Sequence, residues 1–341
     1  AMPREMLEAL EARDPIYGYD VDHYHFELTS IDFGSQSIVA TGTLSITITE
    51  PGLTALPVDL NDGVTVTGVT VNGAGVFFTV NPEDIQVLIG PTPPTVGTQL
   101  DVAISYSGHP TLIGNKSMRW DSHAGTPCMY TLSTPFSNVA TTVIPMSHYW
   151  RPCKDVPDDK STFAASITVP DTMLACANGA LISNVDNLNG TRSLRWEHDY
   201  PVAPYLVALA ATNYVTIDDV YVGPGGTTAI QHFVWPEDLG DATESFNVTV
   251  PAMELFAGVF GEYPFAGEKY GMFETTSGPA VEEQTIVAYP NTIINGGHNY
   301  DWILVHELAH MWWGDCVTCE SWEHVWLNEG FASYSEALWW E

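Results

Sequence analysis

From Ile38 to Ile48 the chain alternates. Ile38, Ala40, Gly42, Leu44, Ile46 and Ile48 are apolar or small, and the residues between them are mostly hydroxylated. A period of two turns one face to a core and the other to water, so this segment predicts a half-buried strand. Asn72-Gly73 and Asn189-Gly190 lie between runs of this kind, where Asn-Gly supplies the positive φ that tight hairpins require. Asn178-Gly179 reads as a third, less clear turn. Strand and turn keep recurring through Tyr214 with no long helical pattern, which predicts an antiparallel β domain over residues 1–216.

The pattern changes over residues 217–341. Asp241 to Phe260 takes on helical spacing, with Met253, Phe256, Val259 and Phe260 on one face and Pro251 suited to a first turn. After a Gly- and Pro-rich connection and a short segment near Val281 to Ala288, two helices are predicted. One runs from Asp301, as N-cap, to Trp313, with Gly314 as its stop. The other begins at about Leu327, with Phe331, Tyr334 and Leu338 on one face. No internal repeat or low-complexity segment interrupts this order.

Composition narrows the function. The 341 residues carry 42 acidic and only 10 basic side chains, a formal charge of -32. Nucleic-acid binding needs cationic surface to displace counterions from phosphates, so it is excluded as a class. The acidity fits a salty or cold extracellular medium, or attraction of a cationic substrate group such as a peptide amine. No apolar run approaches the roughly 20 residues of a membrane-spanning helix. The N-terminal AMPREMLEAL has no signal-peptide pattern, so the expectation is a secreted or periplasmic protein with its leader removed, or a cytoplasmic one. Sequons stand at Asn115, Asn189 and Asn247. Of the five cysteines, Cys316 and Cys319 form a lone C-x-x-C. Without a second pair it cannot be a zinc ribbon, leaving a local disulfide or two thiols.

The chemistry concentrates in His306-Glu307-Leu308-Ala309-His310. Two histidines four apart share a helix face and can reach one ion, and neutral imidazole suits zinc. Glu307 is turned about 100° from His306, which places it beside a water near the metal rather than on the metal. A catalytic zinc needs a third ligand and an open position. Glu329, on the second helix in Trp326-Leu327-Asn328-Glu329-Gly330, supplies it, and Gly330 is read as permitting close backbone approach. The expected cofactor is one Zn2+ held by His306, His310 and Glu329, with Glu307 as general base.

These segments resemble the zinc aminopeptidases typified by aminopeptidase N. The resemblance rests on HELAHMWWGD (306–315), WLNEGFASY (326–334), GPAVEEQT (278–285) and WRPCKDVPDDK (150–160). Val169-Pro170, Ala177-Asn178-Gly179 and Tyr263-Pro264-Phe265 add to it. It implies a multidomain β plus α+β protein: an antiparallel β-saddle domain, then an incomplete thermolysin-like catalytic domain. It also implies removal of single residues from peptides with a free N-terminus. Val281-Glu282-Glu283-Gln284-Thr285 matches the family's exopeptidase motif, which gives Glu282 the substrate's amine and Ala280 and Val281 the neighbouring peptide backbone. A buried ammonium must meet an anion, so the chemistry agrees.

Three departures qualify the match. Pro279 and Val281 replace the usual Gly and Met. Thr134 stands where the family carries a second amine-binding Glu or Gln, and Glu283 is not a replacement, because neighbours in an extended segment face opposite ways. The chain also stops before the family's transition-state tyrosine. A fragment that folds and binds zinc yet hydrolyses poorly is the expectation. Its apolar end, Ala337-Leu338-Trp339-Trp340, is expected to pack on the β domain or to mediate self-association. Two other functions share parts of this pattern: a thermolysin-type endopeptidase, and a non-catalytic zinc-binding homologue.

Overall fold

In the computed structural model, which describes residues 17–114, 116–137 and 143–341, the alternating segment is a strand, Ser37–Ile48. Ile38, Ala40, Leu44, Ile46 and Ile48 are its buried residues. The N-terminal decapeptide and the Asn115 sequon lie outside the described residues. At Gly42, in the same strand, a Cβ would strike the ring of Pro152. The sequence therefore keeps the inward period but leaves the side chain out at that point.

This strand lies inside an eight-stranded sheet. Its order is Ala180–Asp186, Thr191–Val202, Ser161–Pro170, Tyr19–Asp32, Ser37–Ile48, Gln99–Gly108, Val64–Val71 and Ala74–Gly75. The pairing is antiparallel except where Tyr19–Asp32 runs parallel to Ser161–Pro170. Hairpins supply some antiparallel pairs, such as Tyr19–Asp32 with Ser37–Ile48, whereas the parallel pair and others such as Ser37–Ile48 with Gln99–Gly108 join strands far apart in sequence, which local periodicity does not reveal. A four-stranded sheet, Leu174–Ala177, Leu209–Thr212, Thr126–Leu132 and Ser117–His123, shares a single apolar core with it. Asn72 and Gly73 both have positive φ at the turn between Val64–Val71 and Ala74–Gly75.

Asn178-Gly179 is not a hairpin turn. It carries the chain from Leu174–Ala177 in the smaller sheet to Ala180–Asp186 at the edge of the larger one. Gly179 has φ +80°, and a Cβ there would collide with the backbone carbonyl of Glu197.

From Val215 the chain enters a second sheet, ordered Val215–Gly223, Gly226–Val234, Met272–Thr275 and Val287–Pro290, with a second apolar core. Its last three strands run parallel. Helical spacing after Asp241 resolves into two helices, α1 (Leu239–Phe246) and α2 (Thr249–Phe260). Pro251 has no N–H to bond back to residue 247, so one continuous helix cannot form. Met253 and Phe256 are buried, but Val259 is 53% exposed and leaves the expected face.

Two further helices build the site: α3 (Asp301–Ala309) and α4 (Trp326–Trp340). Tyr300, not Asp301, occupies the N-cap of α3, and the helix ends before Gly314, with His310 at its C-cap. Beyond it the amides of Asp315, Cys316 and Val317 bond back to His310, Met311 and Trp312 in widened turns. On α4 the buried face is Asn328, Ala332 and Ser335 rather than Phe331 and Tyr334, which are exposed. Phe331 instead stacks on Trp313. At the apolar end Trp339 packs on the second core, not on the β domain, while Trp340 is 65% exposed. Cys316 and Cys319 are free thiols. Among the described residues no helix is long and apolar enough to cross a membrane.

Candidate metal centre and amine-binding cleft

His306 lies in the last turn of α3 and His310 closes that helix, so their rings stand 4.8 Å apart on one side of it. Glu329 enters from the first turn of α4. One oxygen of Glu329 lies 3.4 Å from Nε2 of His306 and 3.8 Å from Nε2 of His310. Donors about 2.0–2.1 Å from a tetrahedral ion sit about 3.4 Å apart, so this trio has the spacing of a closed three-ligand face.

The other ring nitrogens are committed elsewhere. Nδ1 of His306 is 2.7 Å from Oε1 of Glu336, and Nδ1 of His310 is 3.0 Å from the carbonyl of Trp313. Each partner accepts a hydrogen bond, which directs the two Nε2 lone pairs at the shared point. Burial lowers the pKa of His310, favouring the neutral, ligating imidazole. The His306 hydrogen bond holds Glu329 below the usual carboxylate range. His306 itself rises to about 9 despite burial, because Glu329, Glu307 and Glu336 all favour its cation. This donor set, two imidazoles and a carboxylate, suits a divalent metal of borderline softness.

The close approach attributed to Gly330 occurs elsewhere. A Cβ on Gly330 would meet open space, whereas one on Gly314 would stand 3.1 Å from Nδ1 of His310 and 3.3 Å from Cβ of Asn328. Gly314, at φ +125°, is where the turn after α3 passes against α4.

A second group of donors shares His310: carboxylate oxygens of Glu282 and Glu307 lie with its ring nitrogen within 4.8 Å of one another. Burial and then the charge of Glu282 push Glu307 up to about 8. A cation bound beside it would act in the opposite sense. The two groups line one cleft of about 430 Å³ together with Lys116, Thr134, Tyr205 and Asn328. Lys116 donates a hydrogen bond to the Thr134 hydroxyl. Tyr205 accepts from Nδ2 of Asn328 at 2.8 Å and donates to the carbonyl of Gly314 at 3.3 Å, tying the β domain to α4 and to the turn after α3.

The loop carrying Glu282 is anchored from behind. Val281 exchanges both backbone hydrogen bonds with Ala288 at 2.9 Å and also lines the cleft. Ala280 lines the cleft beside it. Asn178 donates to the carbonyls of Leu206 and Gln284, and the amide of Gly179 donates to the Thr285 hydroxyl at 2.9 Å. Lys269 donates to the Thr285 carbonyl at 3.3 Å. Thr285 is held at φ +67°, an unusual conformation for a β-branched residue, with its amide on the sulfur of Met311 at 3.3 Å. Glu283 points away from the cleft and is fully buried. Burial drives its pKa well up, and the nearby backbone amide of Ser133 acts against that rise.

Four of these residues escaped the sequence reading: Glu336, Lys116, Tyr205 and Asn328. Glu336 alone left a local signal, lying two turns beyond Glu329 and so on the same helix face.

A β domain leading into a helix-borne His-Glu-His site with a distant glutamate defines a metallopeptidase architecture. The Peptidase M1 N-terminal domain model matches residues 38–206, the Peptidase family M1 domain model matches residues 245–341, and the chain belongs to peptidase family M1. It is similar to leukotriene A-4 hydrolase of Xenopus laevis, 25% identical over 93% of this chain and 51% of that protein. It is also similar to leucine aminopeptidase 2 of Emericella nidulans, 31% identical over 54% of this chain and 29% of that one. The chain thus spans about half the length of the first relative and less than a third of the second. Among solved structures it resembles an M1 zinc metallopeptidase mutant of Deinococcus radiodurans bound to a Tyr-Ser-Ala substrate. The TM-score is 0.81 at 28% identity, covering 94% of this chain and 71% of that one. A two-domain M1 zinc metallopeptidase mutant bound to L-arginine is similar at TM-score 0.80 and 27% identity, with the same coverage.

Proposed function

We propose that this chain carries the site of a zinc aminopeptidase that removes the first residue from peptides with a free N-terminus. The observation that carries the reading is that two clusters share one histidine: His306, His310 and Glu329 face one point, and Glu282 and Glu307 meet His310 beside it. Bound there, zinc would polarise the scissile carbonyl and acidify water. Glu307 takes a proton from the attacking water and returns it to the leaving amine. Glu282 pairs with the substrate's ammonium, which sets the cut one residue inward. The relatives named leucine aminopeptidase and the metallopeptidase with a bound tripeptide support this direction.

An endopeptidase would use the same metal and base but would have no use for a carboxylate beside them. Acetylating the substrate's N-terminus separates the two: an aminopeptidase stops and an endopeptidase continues. Glu282→Ala should lower kcat/KM for free-amine substrates roughly 10- to 150-fold, the value of one charge-assisted contact. An unchanged rate would remove Glu282 from the amine site. A non-catalytic homologue would bind zinc and cleave nothing. We also propose that the protein acts outside the cytoplasm, on the strength of its acidity. Fractionation of the source cells tests this, and recovery in the cytoplasmic fraction would overturn it.

A further inference from the structure

Lys116 is the only lysine or arginine among the described residues that line the cleft. It sits where the chain closes a tight turn with Ile113 through reciprocal backbone hydrogen bonds, so its backbone is fixed. Its ammonium donates to the hydroxyl of Thr134, itself buried. Among the described residues no carboxylate comes within salt-bridge distance of it, although Glu282, Glu283, Glu307 and Glu329 all act on it electrostatically. Glu283 does not neutralise it: burial drives that carboxyl toward its uncharged form. Burial lowers the pKa of Lys116 and the surrounding carboxylates act against that fall, leaving a half-buried amine with one neutral partner and donors to spare.

The walls of the cleft divide the first residue of a substrate among them. Its amine goes to Glu282, and its carbonyl goes to the side lined by His306, Glu307 and Glu329. The β domain contributes Lys116 and Thr134 beside the uncharged Pro135 and Tyr205, while Pro279, Ala280, Trp322 and Val325 line the rest. A side chain leaving the first residue's Cα towards the β domain would meet Lys116. A carboxylate arriving at that wall would gain a charge-assisted hydrogen bond. An ammonium or guanidinium would meet a like charge in a cleft that water screens poorly.

We propose that Lys116 reads the side chain of the substrate's first residue and makes this site select peptides beginning with aspartate or glutamate over those beginning with lysine or arginine. The inference rests on the aminopeptidase reading above. The test uses the zinc-loaded chain and measures two things. One is the affinity for free L-glutamate, L-leucine and L-arginine by calorimetry; the other is the hydrolysis of the three corresponding aminoacyl anilides. Glutamate should exceed leucine about ten-fold or more, the worth of a charge-assisted bond, and arginine should rank last. Lys116→Gln, which keeps a donor for Thr134, and Lys116→Met should bring the glutamate-to-leucine ratio towards one. Lys116→Glu should place arginine first. Zinc content and circular dichroism establish that each variant is folded, and ratios taken within one variant cancel any general loss.

A wild-type preference for leucine or arginine, or a ratio the substitutions leave unmoved, would overturn the assignment of Lys116 while leaving the aminopeptidase reading intact. Failure of every amino acid to bind and of every anilide to be cleaved would instead bring down the aminopeptidase reading, and this inference with it.

Discussion

Nδ1 of His306 lies 2.7 Å from the carboxylate of Glu336, two turns along the same helix that presents Glu329. One helix therefore supplies a ligand and also orients another ligand that belongs to a different helix. Removing such a supporting carboxylate costs about 10- to 100-fold in metal affinity in comparable sites. Glu336→Ala should weaken zinc binding by that factor, read by competition with a chelating dye. An unaltered affinity would show that packing alone holds the His306 ring.

The metal and the base separate cleanly. His310→Ala should abolish stoichiometric zinc by elemental analysis, because one of three donors is gone. Glu307→Gln should retain the metal and lose about 10²–10⁴-fold in hydrolysis, the usual worth of a general base. Zinc lost from Glu307→Gln would mean that this carboxylate is a ligand.

The clamp behind the Glu282 loop should tolerate little change. Gly179→Ala imposes both a left-handed φ on alanine and a collision with Glu197, so destabilisation of about 3 kcal/mol or more is expected. Asn178→Ala strands the carbonyl of Gln284 and the amide of Ala208, for about 1–3 kcal/mol. Denaturant titrations of both variants give these numbers directly. A Gly179→Ala variant as stable as the parent would refute the crowding described at that turn.

Glu274 provides the pH dependence. Burial pushes its carboxyl up to about 9, with the neighbouring Asp238 adding to the shift, while the amide of Trp235 bonds one oxygen at 2.7 Å. Its folded pKa lies above the unfolded value of 4.5. Its stabilisation is therefore complete below about 4.5 and is lost as pH rises towards 9. Glu274→Gln can still accept from Trp235 and cannot ionise. Its stability advantage over the parent should widen between about pH 5 and about pH 8.5. An advantage constant with pH would show that Glu274 is ionised in the fold.

Much of this was legible in the residues because it was local. The period of two in Ile38–Ile48 and the four-residue spacing of His306 and His310 are properties of one strand and one helix. Glu329 was reachable because its helix follows soon after. Contacts between distant segments were not legible: Tyr205 bonding Asn328 depends on how the two cores meet. Asn178-Gly179 misled for the same reason. Asn-Gly in a β-rich sequence signals a hairpin, but here the positive φ of Gly179 serves a backbone that must slip past Glu197 and hold Thr285. Apolar spacing on α4 misled because the residues facing inward there, Asn328, Ala332 and Ser335, are small or polar.

Thr285 stands three residues from Glu282, the proposed amine anchor, and its amide rests on Met311, the residue after the proposed ligand His310. The Glu282 loop and the His310 turn are thus joined through one buried contact, the Thr285 amide on the Met311 sulfur. On the proposed function, the distance between these two sites would act as a gauge of the substrate. Substitutions that reshape the pocket for a different first side chain would change which peptides are admitted while leaving the length of the step, one residue, untouched.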